Sequence, residues 1–302
     1  MSCKPAEKNS KPRYVGAAIN AVSFVAPTIA NRIAWRLFCF PPPWRPKDDA
    51  EAAFKRDGEA ILATAEQGNV VLASGERVAT YLWRGKVSPA RGRVVLVHGW
   101  TGTAASMAKF VAPLQSGGFD VVAMDMPGHG RSSGHTHRID LGARVMIALE
   151  KAMGPFTGAI THSHGGASFG ASLGGLPTVE GHIRVERAAM VAPPNRVGKL
   201  VHDFADAFGF RRGIREYLVA KTETAAGLPL GDVLIGRFVA ASGVRLLVAH
   251  DRCDDIVPIE EGQSIAALAN GELHVTEGLG HRKVIADTGV IGRVVAFVSA
   301  DR

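Results

Sequence analysis

The chain has 302 residues and a formal net charge of +7; it is 46% hydrophobic and 21% charged. That balance excludes an intrinsically disordered chain, and the length suits one large α/β domain or two small ones. Arg and Lys are scattered without interleaved aromatics, and no helix-turn-helix, zinc-finger or RNA-binding signature occurs, so nucleic acid is not expected as a partner.

Residues 1–14 are polar and basic, with Lys4, Lys8, Lys11 and Arg13. The stretch "YVGAAINAVSFVAPTIANRIAWRLFCFPPPW" follows, interrupted by Asn20 and Pro27. Its uncharged run, Val15 to Asn31, falls short of the ~20 apolar residues a spanning helix needs. Ile19, Val22, Val25, Ile29 and Ile33 recur at helical spacing and predict an amphipathic helix. Such a helix packs on the main domain, makes peripheral contact with a membrane, or is removed as a signal peptide; packing is the expectation. "FPPPWRP" (40–46) then stops any helix, which divides the chain into an arm, 1–47, and a domain, 48–302. Cys3, Cys39 and Cys253 are odd in number, with no C-x-x-C, and predict free thiols in a reducing, cytoplasmic setting with no cysteine-built zinc site.

Residues 48–66 read as a helix opened by Asp48 and Asp49, and "NVVLAS" and "VATYLWRG" as an antiparallel edge hairpin. From residue 92 the character changes. "GRVVLVHGW", "FDVVAMDMPGHGRSSG", "FTGAITHSHGG", "RAAMVAPP", "GVRLLVAHD" and "GELHVTEG" are apolar runs of the kind that make fully buried parallel strands. Helical segments at 104–116, 139–152 and 262–270 alternate with them. The pattern predicts an α/β fold with a mostly parallel central sheet flanked by helices, its functional loops at the carboxyl ends of the strands.

"AITHSHGGASFG" (159–170) puts Ser163 between an apolar strand and a small-residue helix start, the setting of a nucleophile elbow. Gly165 and Gly166 keep the helix side small; Thr161 stands where the G-x-S-x-G pattern has its first glycine.

"HGW", "DMPGHGRSSG", "HSHGG", "HDRCDDIVP" and "GLGHRK", in this order over roughly 92–300, resemble the α/β-hydrolase superfamily. The chain looks most similar to its serine hydrolases of the esterase, lysophospholipase and S33-peptidase-like group. The resemblance implies an α/β-hydrolase fold and a triad of Ser163, Asp254 and His281, in the chain order these enzymes use. Asp254 matches the D-x-x-V-P pattern; Asp251 and Asp255 are read as solvated loop residues. The oxyanion donors implied are the backbone N–H groups of His164 and Trp100, whose side chains would then line the substrate pocket.

The loop from Gly128 to Gly134 lacks the spacing of a dinucleotide-binding turn, and "HTHRID" and the pair His162 and His164 are poor metal sets, so neither a cofactor nor a metal is expected. Residues 193–243 are read as a short lid of one or two helices, with Val197, Leu200, Val201, Phe204 and Phe208 at helical spacing. Arg211, Arg212 and Arg215 are read as solvated, or as facing an anionic head group. The resulting expectation is a serine hydrolase cleaving carboxylic esters of small acyl or lipid-like substrates. Its alternatives are a peptidase or thioesterase using the same triad, or a non-catalytic binding protein of this fold.

Overall fold

Continuous apolar runs form the centre of the molecule, a computed structural model describing residues 11–300. The strands are β1 (Glu66–Val71), β2 (Arg77–Trp83), β3 (Gly92–Val97), β4 (Phe119–Met124), β5 (Gly158–His162), β6 (Arg187–Val191), β7 (Arg245–Asp251) and β8 (Glu272–Thr276). They make one sheet in the order β1-β2-β4-β3-β5-β6-β7-β8, parallel from β4 to β8 and antiparallel where β1 meets β2 and β2 meets β4.

Alternation along the strands feeds two cores. Val95 and Val97 face one, Val94 and Leu96 the other, and all four are fully buried. Burial on both faces is why these strands read as unbroken apolar runs. β1 begins before the run that signalled it, because Glu66–Asn69 lie exposed at the sheet edge and carry no hydrophobic pattern.

Helices α1 (Lys11–Val25), α2 (Pro27–Cys39) and α3 (Asp49–Leu62) precede the sheet. Asp48 caps α3, its carboxylate accepting from Glu51 N at 2.7 Å, and α3 ends four residues before the predicted boundary at 66. The predicted helix 104–116 is a 3₁₀ turn over 104–110 followed by α4 (Val111–Ser116). Helices α5 (Ile139–Met153), α6 (His164–Ser172), α7 (Val197–Phe208), α8 (Arg212–Ala226), α9 (Ile235–Ser242), α10 (Ile259–Leu268), α11 (Gly280–Lys283) and α12 (Thr288–Val298) complete the layers.

Two expectations need correction. Segment 193–243 contains three helices instead of one or two. Only α7 and α8 lie over the cavity described below. α9 packs into the body: a Cβ on Gly170 of α6 would meet Ile235 Cγ2 at 2.5 Å, and one on Gly236 would meet Leu268 Cδ1 of α10 at 2.9 Å. The apolar stripe of the arm is not one buried face. Pro27 starts α2 as its first residue, and the inner side across both helices is taken by Ile19, Ala30 and Ala34, which leaves the apolar stripe facing outward from Val25 on. Ile19 is buried, whereas Val25, Ile29 and Ile33 are 86%, 55% and 40% exposed.

The inner face of the arm is made of small residues. A Cβ on Gly16 would stand 1.7 Å from Phe208 O, so α1 lies directly on the end of α7; Ala30 and Ala34 are the fully buried positions of α2. Asn20 Nδ2 donates to Gly209 O (2.8 Å), and Arg211 N donates back to Asn20 Oδ1 (3.1 Å). No helix among the described residues is long and apolar enough to cross a membrane. Cys39 is a buried free thiol whose pKa burial pushes up to about 12; Cys253, expected to be free, is disulfide-bonded. The expectation for Cys3 lies outside the described residues.

Candidate active site

Ser163 occupies the single residue between β5 and α6, with φ +51° and ψ −125°. A non-glycine side chain in that region is strained, and it persists only where its surroundings hold it. Here the neighbours leave no slack. A Cβ on Gly165 would come within 2.4 Å of His98 O, and one on Gly99 within 3.1 Å of Ser163 Cβ. Thr161, the departure from the usual pattern, is fully buried with its hydroxyl unpartnered, and Gly166 makes its room: a Cβ there would sit 3.2 Å from Thr161 Oγ1 and 3.0 Å from Met190 Cε.

The loops after β7 and β8 bring the other two residues to the serine. Ser163 Oγ lies 2.9 Å from His281 Nε2, and His281 Nδ1 lies 2.7 Å from Asp254 Oδ2. With the serine hydroxyl donating to Nε2, the ring proton sits on Nδ1 and is given to the carboxylate. Asp254 Oδ1 accepts from Ile256 N (2.9 Å) and Val257 N (2.8 Å). Burial alone would raise the pKa of Asp254, but the close approach of His250 Nε2 (3.4 Å) and the hydrogen bond from His281 outweigh it and hold the group below the usual carboxylate range. Asp255 is exposed.

Asp251, read from sequence as solvated, is fully buried. Its Oδ1 accepts from Cys253 N and Gly280 N (both 2.9 Å), and its Oδ2 from Thr276 Oγ1 (2.8 Å) and Leu279 N (3.0 Å). One carboxylate therefore ties the loop carrying Asp254 to the start of α11, which carries His281. The available signal was its place as the last residue of an apolar strand, still inside the sheet. His250, beside it, donates from Nε2 to Val257 O (2.8 Å) and was also missed. So was Glu261, buried on α10, which accepts from Asn195 N (2.9 Å) and Arg196 N (2.8 Å) and anchors the start of segment 193–243.

The two histidines flanking Ser163 diverge, as alternate residues around a strand end should. His162 Nε2 donates to His281 O (3.0 Å), and burial, then the nearby His281, lower its pKa to about 3. His164 packs edge-on against Trp100, with ring centroids 4.9 Å apart, and burial lowers its pKa to about 3. As the first residue of α6, His164 has a backbone N–H with no acceptor in its own helix. Trp100 is anchored through its carbonyl, which accepts from His129 Nε2; His98 donates from Nδ1 to Gly99 O (2.8 Å) and accepts from Met126 N at Nε2 (2.9 Å). The Gly128–Gly134 loop folds around the buried Asp125 carboxylate, which accepts from Tyr81 Oη (2.9 Å), Ala104 N (2.8 Å) and Arg131 N (2.9 Å). Among the described residues no cluster of His, Cys, Asp or Glu is arranged to hold a metal ion.

Ser163, Trp100 and His164 face a cavity of about 530 Å³, within the ~300–1,000 Å³ usual for small-molecule sites. Its far walls are Leu200 and Phe204 of α7, Ala225 of α8, and Trp35, Phe38 and Phe40 from the arm. Phe38 meets Phe204 edge to face, with centroids 5.2 Å apart. That the arm supplies a wall was not foreseen. His137 also lines the cavity, with both ring nitrogens buried and unpartnered, and burial holds its pKa well below the ordinary value. The three arginines considered for a head group are engaged elsewhere. Arg211 stacks on Phe24 (4.1 Å), Arg212 pairs with Glu216 (2.6 Å) and Arg215 pairs with Asp206.

Residues 88–209 match the family described as serine aminopeptidase, S33. No curated protein matches the chain. Among solved structures, an esterase from Pyrococcus furiosus superposes with a TM-score of 0.59 at 17% identity, covering 86% of this chain and 98% of that one. A predicted CIB-like hydrolase from Thermoplasma acidophilum superposes at 0.55 with 18% identity, covering 78% of this chain and 98% of that one. An esterase from Rhodococcus sp. ECU1013 superposes at 0.57 with 17% identity, covering the same 78% and 98%.

Proposed function

We propose that this chain, whose fold is that of the α/β-hydrolases, hydrolyses carboxylic esters of small acyl or lipid-like compounds through a Ser163 acyl-enzyme. The observation that carries this reading is the hydrogen-bonded line from Ser163 through His281 to Asp254, opening on an apolar cavity. His281 takes the proton of Ser163 as its Oγ attacks the ester carbonyl, Asp254 holds the ring and balances its charge, and the carbonyl oxygen becomes an oxyanion. The backbone N–H groups of His164 and Trp100 are its assigned donors. Collapse of the tetrahedral intermediate expels the alcohol with the proton returned by His281. Water, activated by the same imidazole, then releases the acid. α7 and α8 act as the lid, and the apolar wall from Leu200 to Phe204 receives the acyl chain.

The family match favours a second reading, an aminopeptidase. That activity needs a carboxylate to hold the substrate ammonium. Among the described residues lining the cavity the only carboxylate is Asp140, which is already paired with Arg138 at 2.8 Å. The apolar walls and this missing partner favour the ester.

Fluorophosphonate labelling followed by peptide mass spectrometry, with Ser163→Ala alongside, tests the mechanism. One label on the Ser163 peptide, absent from the variant, is expected, together with turnover of p-nitrophenyl esters in preference to aminoacyl anilides. A folded protein that neither labels nor turns over an ester removes the catalytic reading and leaves a binding protein.

A further inference from the structure

Of twelve large apolar side chains exposed among the described residues, seven lie on the arm: Tyr14, Val15, Phe24, Val25, Ile29, Ile33 and Phe40. They are not scattered. Tyr14, Ala18, Ala21 and Val25 follow helical spacing on the outer side of α1, and Ile29, Ile33 and Arg36 continue it on α2. The inner sides of both helices are spent on the lid, through Gly16, Ile19, Ala30 and Ala34. Between Lys11 and Lys47 there is no Asp or Glu, while Arg13, Arg32, Arg36 and Arg45 are exposed. An apolar face whose own helices carry positive charge and no carboxylate complements one kind of partner, a surface with an apolar interior beneath anionic groups.

We propose that the outer face of α1 and α2 docks the protein on an anionic lipid surface. The arm lies flat, with Val25 and Ile29 below the head groups and Arg32 and Arg36 level with the phosphates. Phe40 belongs to both sites, being exposed on the arm and lining the cavity, and the exposed Ile256 lines the same cavity. The docked face and the cavity are therefore continuous along the arm. Resting on the esterase reading, this continuity makes a membrane-borne acyl ester the substrate that enters most directly.

The full chain is sedimented with phosphatidylcholine vesicles, with and without phosphatidylglycerol, and compared with the double variants Val25→Ser/Ile29→Ser and Arg32→Glu/Arg36→Glu. None of these four residues lines the cavity, so turnover of a soluble short-chain ester and the melting temperature should stay unchanged. Binding to the anionic vesicles should be at least about tenfold tighter than to neutral ones, and each variant should lose at least about tenfold. No binding, or binding equal in wild type and variants, overturns the proposal. So does light scattering that finds a vesicle-free dimer dissociated by Val25→Asp, since a second copy then covers the face. Vesicle binding without hydrolysis of any ester leaves the docking intact and removes the esterase reading alone.

Discussion

Around Ser163 the positions of the proposed triad are set by directional bonds: two to His281, a further pair to Asp254 from the backbone, and four to Asp251 beneath them. Across the same cavity the roof of α2, α7 and α8 is held mostly by ring packing, as between Phe38, Phe204 and Phe208, with a few polar clasps such as Asn20 to Gly209. A floor built on hydrogen bonds tolerates almost no displacement, since a misplaced acceptor leaves buried donors unpaired. A roof built on apolar contact can be recut by a methylene at modest cost. The floor should therefore govern whether the reaction occurs, and the roof which ester is accepted.

The sharpest way to break this division is Asp251→Ala. It strips the acceptor from three backbone N–H groups and the Thr276 hydroxyl, and each buried unpaired group costs about 1–3 kcal/mol. We expect a loss of at least about 3 kcal/mol in urea unfolding. Turnover should fall at least about a hundredfold, because His281 and Asp254 no longer share one anchor. Asp255→Ala, on an exposed neighbour, should stay within about 0.5 kcal/mol of wild type. Equal effects of the two substitutions would show that Asp251 is not the keystone of the floor.

How far each half could be read in advance follows from the same physics. Ser163, His281 and Asp254 sit at strand ends, where a few consecutive residues declare both strand and turn, and they were legible as a set. Asp251 was misjudged because an aspartate beside two others reads as loop, while its burial depends on donors from Thr276 and Leu279 across a strand. Five of the parallel strands, β3 to β7, announced themselves by apolar runs, but β8 with Glu272 and His274 and the exposed start of β1 carried no such pattern. Least legible was the arm. Its periodicity was plain, yet which side faces inward depends on small residues such as Gly16 meeting a carbonyl some 190 residues away. No local pattern encodes that distance.

Phe38→Ala probes the roof. Removing the ring deepens the cavity wall proposed to receive the acyl chain, and a change of this kind in an apolar pocket shifts discrimination by roughly tenfold. The ratio of kcat/KM for a long-chain over a short-chain p-nitrophenyl ester should rise by about that factor, with the short-chain rate little changed. Floor variants should lower all chain lengths in parallel. A Phe38→Ala enzyme that loses activity uniformly would place the arm in the chemistry instead of in selection.

The effect that separates the histidines of the floor from the proposed triad is in the pH dependence of stability. His98, His129, His137, His162 and His164 all have folded pKa values below the ordinary ~6.5, chiefly through burial. A histidine depressed in the native state binds its proton more readily when unfolded. Its contribution is therefore complete above pH ~6.5 and declines as pH falls towards the folded value, about 3 for His162 and His164. Each such ring adds a slope of up to about 1.4 kcal/mol per pH unit in that window. The depressed carboxyls of Asp251 and Asp254 add their own loss only below pH ~4, as they approach their folded values from above. Urea midpoints should thus fall chiefly from the histidines between about pH 7 and pH 5, with the depressed Glu66 and Glu261 adding to the loss below that. His137→Phe keeps the ring shape while removing two unpartnered nitrogens, so at neutral pH it should unfold no more easily than wild type. Below pH ~6 it should pull ahead, its slope shallower by about one histidine's share. An unchanged slope would mean that His137 titrates alike in both states and finds a proton partner in the folded protein.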